Sequence, residues 1–294
     1  MARALTAIHD AYIGVKLACA RSYLGKAAGE AIWLLAQSSL RFLAEQCEPV
    51  DLISRVSGKE YFSYVRRGHT KVIARPANRA FFVPDLSDVA KQWAAWQKGS
   101  INKRDFARMS YTVALAPCLA MELFDRQNKK GPATYFECLI GHMFAKELGF
   151  DPRKQATLQL HGKTIRLTMD FLFEGENGVK IHVPVKMSTR ERVVQAWAHQ
   201  RILDGAHGEN SYKGIMVLFS ETKLDSRSRE VVEICVPDQW LAYQTLLARI
   251  ERIYYFDVPC RYQTLCEDFP TLLQVKQFGE FFTERKALLA PSSA

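Results

Sequence analysis

Two charged residues, Asp170 and Lys186, have the types and spacing to do chemistry. Residues 157–173 alternate with a period of two, which predicts a strand. Ile165, Leu167, Met169, Phe171 and Phe173 share one face; Arg166, Thr168, Asp170 and Leu172 share the other. In a second strand over 180–187, Ile181, Val183 and Val185 form the apolar face, with His182, Pro184 and Lys186 opposite. Gly175-Glu176-Asn177-Gly178 is a strong turn signal between them. Closing this hairpin sets Phe171 opposite Val183 and Asp170 opposite Pro184, so Lys186 lies diagonally within reach of Asp170. A carboxylate and an ammonium on the second face of an otherwise apolar hairpin either pair with each other or face a site.

The segment after Lys186 opens a helix predicted over 189–204. Ser188-x-x-Glu191 matches a capping box, and Glu191, Gln195 and His199 follow one another along one helix face. Arg190 and Arg192 read either as surface charges or as phosphate contacts, and His182 and His199 either as satisfied structural histidines or as groups lining a cleft. Other chemistries lack their signatures: there is no phosphate-binding Gly-x-x-x-x-Gly-Lys-Ser/Thr, no Gly-x-Ser-x-Gly elbow and no His-Glu-x-x-His. The seven cysteines include no CxxC pair, which argues against a zinc site and for reduced thiols in a cytoplasmic protein.

The elements that must position these residues follow from pattern and punctuation. The 294 residues are 48% hydrophobic and 24% charged, a globular composition that excludes wholesale disorder. There is no signal peptide and no apolar run long enough to span a membrane. The net charge of +9 is carried entirely by residues 1–130, with 20 Lys/Arg against 11 Asp/Glu, whereas residues 131–294 carry 20 of each. With the polar stretch Arg126–Pro132, this divides the chain into a basic, mostly helical region 1–130 and a second domain 131–294. Helices are predicted over 4–46, 86–98 and 103–126, then over 133–148 and 238–252; further strands are predicted over 213–220, 231–236 and 253–258. That order predicts an α/β (α+β) domain around a mixed sheet flanked by helices. In the basic region, Arg66-Arg67 and Lys103-Arg104 head the clusters that could meet a polyanion, or else a solvated face.

A strand-borne Asp, a hairpin, a strand ending in Lys and then Ser-x-Arg-Glu-Arg opening a helix resemble the core of PD-(D/E)xK nucleases, and most closely type II restriction endonucleases. The resemblance covers about residues 132–220. It implies a restriction-endonuclease-like core that cleaves double-stranded DNA at a specific site with Mg2+, usually as a homodimer. Asp170 would be the central metal ligand and Lys186 the catalytic lysine. The family places an acid two residues before the lysine, but here that residue is Pro184. Glu137, on the preceding helix, is the first candidate to replace it as a metal ligand, and Glu191 the second. Arg190 and Arg192 would touch DNA, joined by Arg66, Arg67, Lys103 and Arg104 from the basic region. The alternatives are a non-catalytic DNA-binding or repair-complex protein on a decayed nuclease fold, and a helical protein whose basic half binds RNA or acidic partners.

Overall fold

The computed structural model describes residues 2–69, 72–125, 127–175, 178–189 and 193–288, with side chains from residue 5. The chain forms two compact units. The first comprises residues 1–142 with 222–234, and the second residues 143–221 with 235–294. The compositional change near residue 130 thus precedes the change of unit at His142.

In the first unit the stretch predicted as a single helix is two, α1 (Ala2–Arg21) and α2 (Lys26–Gln46), packed on each other. The break between them is closed by the Ser22 hydroxyl, which accepts the Gly25 N–H at 2.9 Å. α3 (Leu86–Gln97) and α4 (Lys103–Phe124) begin where expected, because Asp85 and Asn102 accept the N–H groups of Asp88 and Asp105 as N-caps. α4 is buried along most of its length and forms the centre of this unit. α5 (Lys130–Leu148) starts in the first unit and ends in the second. β1 (Cys47–Asp51), β3 (Tyr61–Arg66) and β4 (Ala77–Asn78) make an antiparallel sheet. β2 (Ile53–Ser54) pairs with β11 (Glu230–Glu233), itself hairpinned to β10 (Thr222–Asp225). Residues 231–236, predicted as one strand of the second domain, therefore contribute β11 to the first unit.

The second unit is built on a mixed sheet. Its strands are β5 (Arg153–Leu160), β6 (Lys163–Glu174), β7 (Lys180–His182), β8 (Val185–Lys186), β9 (Lys213–Leu218), β12 (Arg252–Tyr255) and β13 (Val275–Gln277). The order is β13-β12-β9-β7-β6-β5, with β8 continuing β7 alongside β9. β5, β6 and β7 are antiparallel to one another, and the remaining pairs are parallel. The single strand expected over 157–173 is in fact a hairpin, turned at His161 and Gly162, both with positive φ. α6 (Val193–His207), α7 (Pro237–Leu246), α8 (Cys260–Asp268) and α9 (Gly279–Leu288) complete the unit. Trp197 of α6, Trp240 of α7 and Tyr262 of α8 join Leu218, Ile253 and Tyr255 of the sheet in one core cluster.

Candidate active site

Two irregularities in neighbouring strands create the place where Asp170 sits. Arg153 of β5 faces Leu172 and Gln155 faces Thr168, so Met169, Asp170 and Phe171 together oppose Lys154. This bulge breaks the continuous alternation predicted for the strand. Leu167 and Met169 pack with Leu172, Leu203 and Tyr212, while Phe171 and Phe173 contact each other and Phe173 meets the rings of Phe144 and Phe150.

The second irregularity is Pro184. The β6–β7 register of Leu172 with His182 continues to Phe171 and Val183, whose N–H donates to the Phe171 carbonyl at 3.0 Å. Pro184 has no N–H, and because its carbonyl faces β9 the ladder bond it forgoes is one to β9, not to β6. Its carbonyl still accepts from Val217 at 2.9 Å, so the pairing with β9 resumes in the same register at Val185 and Lys186. On the β6 side the ladder stops, and the Val185 N–H donates to Asp170 Oδ2 at 2.9 Å. The side chain of Asp170 takes the place of a backbone acceptor where the two strands part.

Lys186 Nζ donates to the same Oδ2 at 2.7 Å, with about a fifth of each side chain exposed. The structure thus brings together the two residues singled out by spacing. Lys186 lies where β8 ends, alongside the C-terminal end of β9, the end of parallel strands at which ligand sites form in open α/β sheets.

Two imidazoles adjoin this pair. His182 is buried, and its Nδ1 meets Gln200 Oε1 at 3.1 Å. Gln200 Nε2 donates to Asp204 and to the Tyr212 carbonyl, which fixes the amide with its oxygen towards His182. Nδ1 therefore carries the proton, and Nε2 is a buried acceptor without a hydrogen-bond partner among the described residues. Burial lowers the His182 pKa to about 4, helped by the charge of Lys186 and opposed by the Gln200 hydrogen bond and Asp170. His199, half-buried with its ring 6.2 Å from that of His182, is also lowered, first by burial. Both rings are neutral at pH 7, so neither adds charge to that of Asp170 and Lys186. Gly214 of β9 makes room for this arrangement, since a Cβ there would stand 2.8 Å from Gln200 Oε1.

The loop between Lys186 and α6 is held by a buried carboxylate that sequence reasoning missed. Glu221 Oε1 accepts from the Thr189 N–H, the Thr189 hydroxyl and the Tyr255 hydroxyl at 2.7 to 2.8 Å. Its only local signal is its position just past the apolar strand β9; Thr189 and Tyr255 are distant in sequence. Arg190, Glu191 and Arg192 lie outside the described residues, so the capping box is not described either. Glu137 lies on α5 in the first unit, half-buried. Gln195 is exposed on α6.

Among the described residues no three Asp, Glu, His or Cys side chains gather as a metal cluster. Asp170 Oδ2 serves Lys186 and Val185, and no hydrogen bond to Oδ1 is seen among the described residues. That donor set fits a hard divalent cation that takes one protein carboxylate and completes its shell with waters and substrate phosphate oxygens.

The basic clusters of the first unit are partly engaged in its own structure. Arg67 donates to the carbonyls of Ala44 and Cys47, tying down the C-terminal end of α2. Arg75 pairs with Glu122, and Arg79 with Asp51. Arg66 is half-buried at the end of β3, and Lys103 and Arg104 stand exposed in the first turn of α4. The seven cysteines are all free thiols. Among the described residues no helix is long and apolar enough to cross a membrane.

No protein-family model and no curated protein sequence matches this chain. Two solved structures are similar to it. The restriction endonuclease PspGI in a complex with substrate DNA is 14% identical with a TM-score of 0.44, covering 69% of this chain and 92% of that one. The crystal structure of the type IIP restriction endonuclease Kpn2I is 21% identical with a TM-score of 0.79, covering 98% of each chain. The chain therefore has a restriction-endonuclease-like α/β fold that includes its helical N-terminal region.

Proposed function

We propose that this protein is a divalent-metal-dependent endonuclease that hydrolyses phosphodiester bonds of double-stranded DNA at a specific sequence, as type II restriction enzymes do. The observation that carries the reading is the 2.7 Å contact between Asp170 and Lys186 where β6 and β8 part, within a fold shared with such an enzyme. Asp170 Oδ1 would hold Mg2+, which supplies a bound water of lowered pKa and neutralises phosphate charge. Lys186 is the positive group at the reacting phosphate, where it stabilises the charge that builds on the oxygens and orients the attacking water. Asp170, itself held by the Val185 N–H, holds that ammonium in place before substrate arrives. Glu137 and Glu191 are the candidates for a second carboxylate ligand. Arg190, Arg192, Arg66, Arg67, Lys103 and Arg104 are the proposed DNA contacts, the N-terminal region supplies binding and dimerisation surface, and the working form is a homodimer in the cytoplasm.

The test is incubation of plasmid DNA with purified protein and Mg2+. Discrete fragments are expected, and they should vanish for Lys186→Ala while duplex binding persists. Full cleavage by Lys186→Ala would overturn the assignment. Glu137→Gln and Glu191→Gln, run alongside, identify the second acid by which one loses cleavage. A second reading, a DNA-binding protein on a decayed nuclease fold, is favoured by Pro184 in the usual acid position and by the imidazoles beside Asp170. Duplex binding without cleavage under Mg2+ or Mn2+ would select it.

A further inference from the structure

The hairpin that carries Asp170 extends beyond the core as a two-stranded ribbon. From Gln155 to Leu160 and from Lys163 to Thr168 it pairs regularly, and only Ala156 and Leu158 are buried there. One face consists of three cross-strand pairs, Gln155 with Thr168, Thr157 with Arg166 and Gln159 with Thr164, all six exposed. Every side chain on that face is of a type that can donate or accept hydrogen bonds. Residues 152–169 contain four Lys or Arg and no Asp or Glu. In a domain whose sequence is charge-balanced only when the ribbon is included, an acid-free ribbon is a local excess of positive charge. Lys163 and Arg166 are exposed and form no ion pair among the described residues. At the base of the ribbon, Arg153, Lys154, Arg166, Lys180 and His207 line an open groove of about 700 Å³, together with Glu174, which pairs with Arg153 at 3.0 Å.

We infer that the β5–β6 ribbon is a duplex-DNA contact surface, laid along the phosphate backbone beside the scissile bond. The inference rests on the nuclease reading and adds residues that none of the basic clusters named above includes. Charge complementarity selects the occupant: a polyanion suits a ribbon that carries Arg166 on its polar face and Lys163 beside its turn, with neutral hydrogen-bonding groups and no carboxylates between them. Geometry sets the reach. At about 3.3 Å per strand residue, Arg166 lies roughly 13 Å and Lys163 roughly 23 Å from Asp170 along β6. On a duplex that corresponds to phosphates about four to seven base pairs from the reacting one, at about 3.4 Å per step.

The test is binding of a labelled DNA duplex several turns long, followed by fluorescence anisotropy across a salt series, for the wild type, Lys163→Gln/Arg166→Gln and Lys186→Gln. Each lost phosphate contact lowers the slope of log affinity against log salt by about 0.9, so the double variant should lose about 1.8. Its affinity should then fall about twelvefold less than the wild type's between about 50 and 200 mM salt. Both substituted residues are exposed, and an unchanged circular dichroism melt confirms an intact fold. An unchanged slope in the double variant overturns the ribbon inference and leaves the nuclease reading to the plasmid assay. Wild-type protein that binds no duplex overturns both. Lys186→Gln should keep most of the wild-type slope, since its role is at the reacting phosphate; a slope loss there equal to the double variant's would remove the ribbon's distinct contribution.

Discussion

Acidification from pH 7 to pH 5 should destabilise the second unit through His182. The ring is buried, its Nδ1–H is committed to Gln200, and burial lowers its pKa to about 4. In the unfolded chain it titrates near the ordinary value of about 6.5. Between those values the unfolded state binds more protons, so stability rises with pH and is lost on acidification. Integrating the proton linkage gives a penalty well under 1 kcal/mol at pH 7, about 2 kcal/mol at pH 5 and about 3 kcal/mol below pH 4. The assay is urea unfolding of the wild type and His182→Asn at pH 7, 6 and 5. Asn can still donate to Gln200 but does not titrate in this range. Other groups titrate in both proteins, so the residue's own share is the difference between the two profiles. The wild type should lose about 2 kcal/mol more than the variant between pH 7 and pH 5. Parallel profiles would refute the reasoning, because they would mean that His182 binds a proton as readily folded as unfolded.

Two further substitutions probe how the scaffold holds its charges. Arg75→Met should destabilise the first unit by about 3 to 5 kcal/mol in chemical unfolding, because it strands the buried Glu122 carboxylate. Arg75→Met/Glu122→Leu should recover most of that loss. Burial works against the Glu122 charge and Arg75 more than offsets it, lowering its pKa, so the pair's contribution is held above the ordinary carboxylate range and lost as pH falls through it. Glu221→Gln should cost about 1 to 3 kcal/mol by turning three charge-assisted hydrogen bonds into neutral ones. If Glu221 fixes the loop between Lys186 and α6, plasmid cleavage should fall further than that loss of stability explains; a stable, fully active Glu221→Gln would end its positioning role.

The approach of Asp170 to Lys186 was legible in the linear sequence because every determinant is local. The turn at Gly175–Gly178, the alternation of apolar residues and the register they impose all lie within about thirty positions, and the observed Val183–Phe171 ladder bond keeps that register. The helices α3, α4 and α5 were legible for the same reason, through the spacing of their apolar residues, and the structure shows Asp85 and Asn102 capping the first two. Tertiary structure decided the rest. Alternation carries no mark of the bulge at Met169–Phe171, which appears only once β5 pairs with β6. Pro184 looked like a missing acid, yet in the fold its carbonyl pairs with β9, and the Val185 N–H turns to the Asp170 side chain where β6 bulges. The Glu221–Thr189 and Gln200–His182 contacts join residues 32 and 18 positions apart. The placing of β11 beside β2 spans more than 170. Local pattern specifies which backbone groups pair with near neighbours; the partner of a buried polar group is set by whatever the folded chain brings beside it.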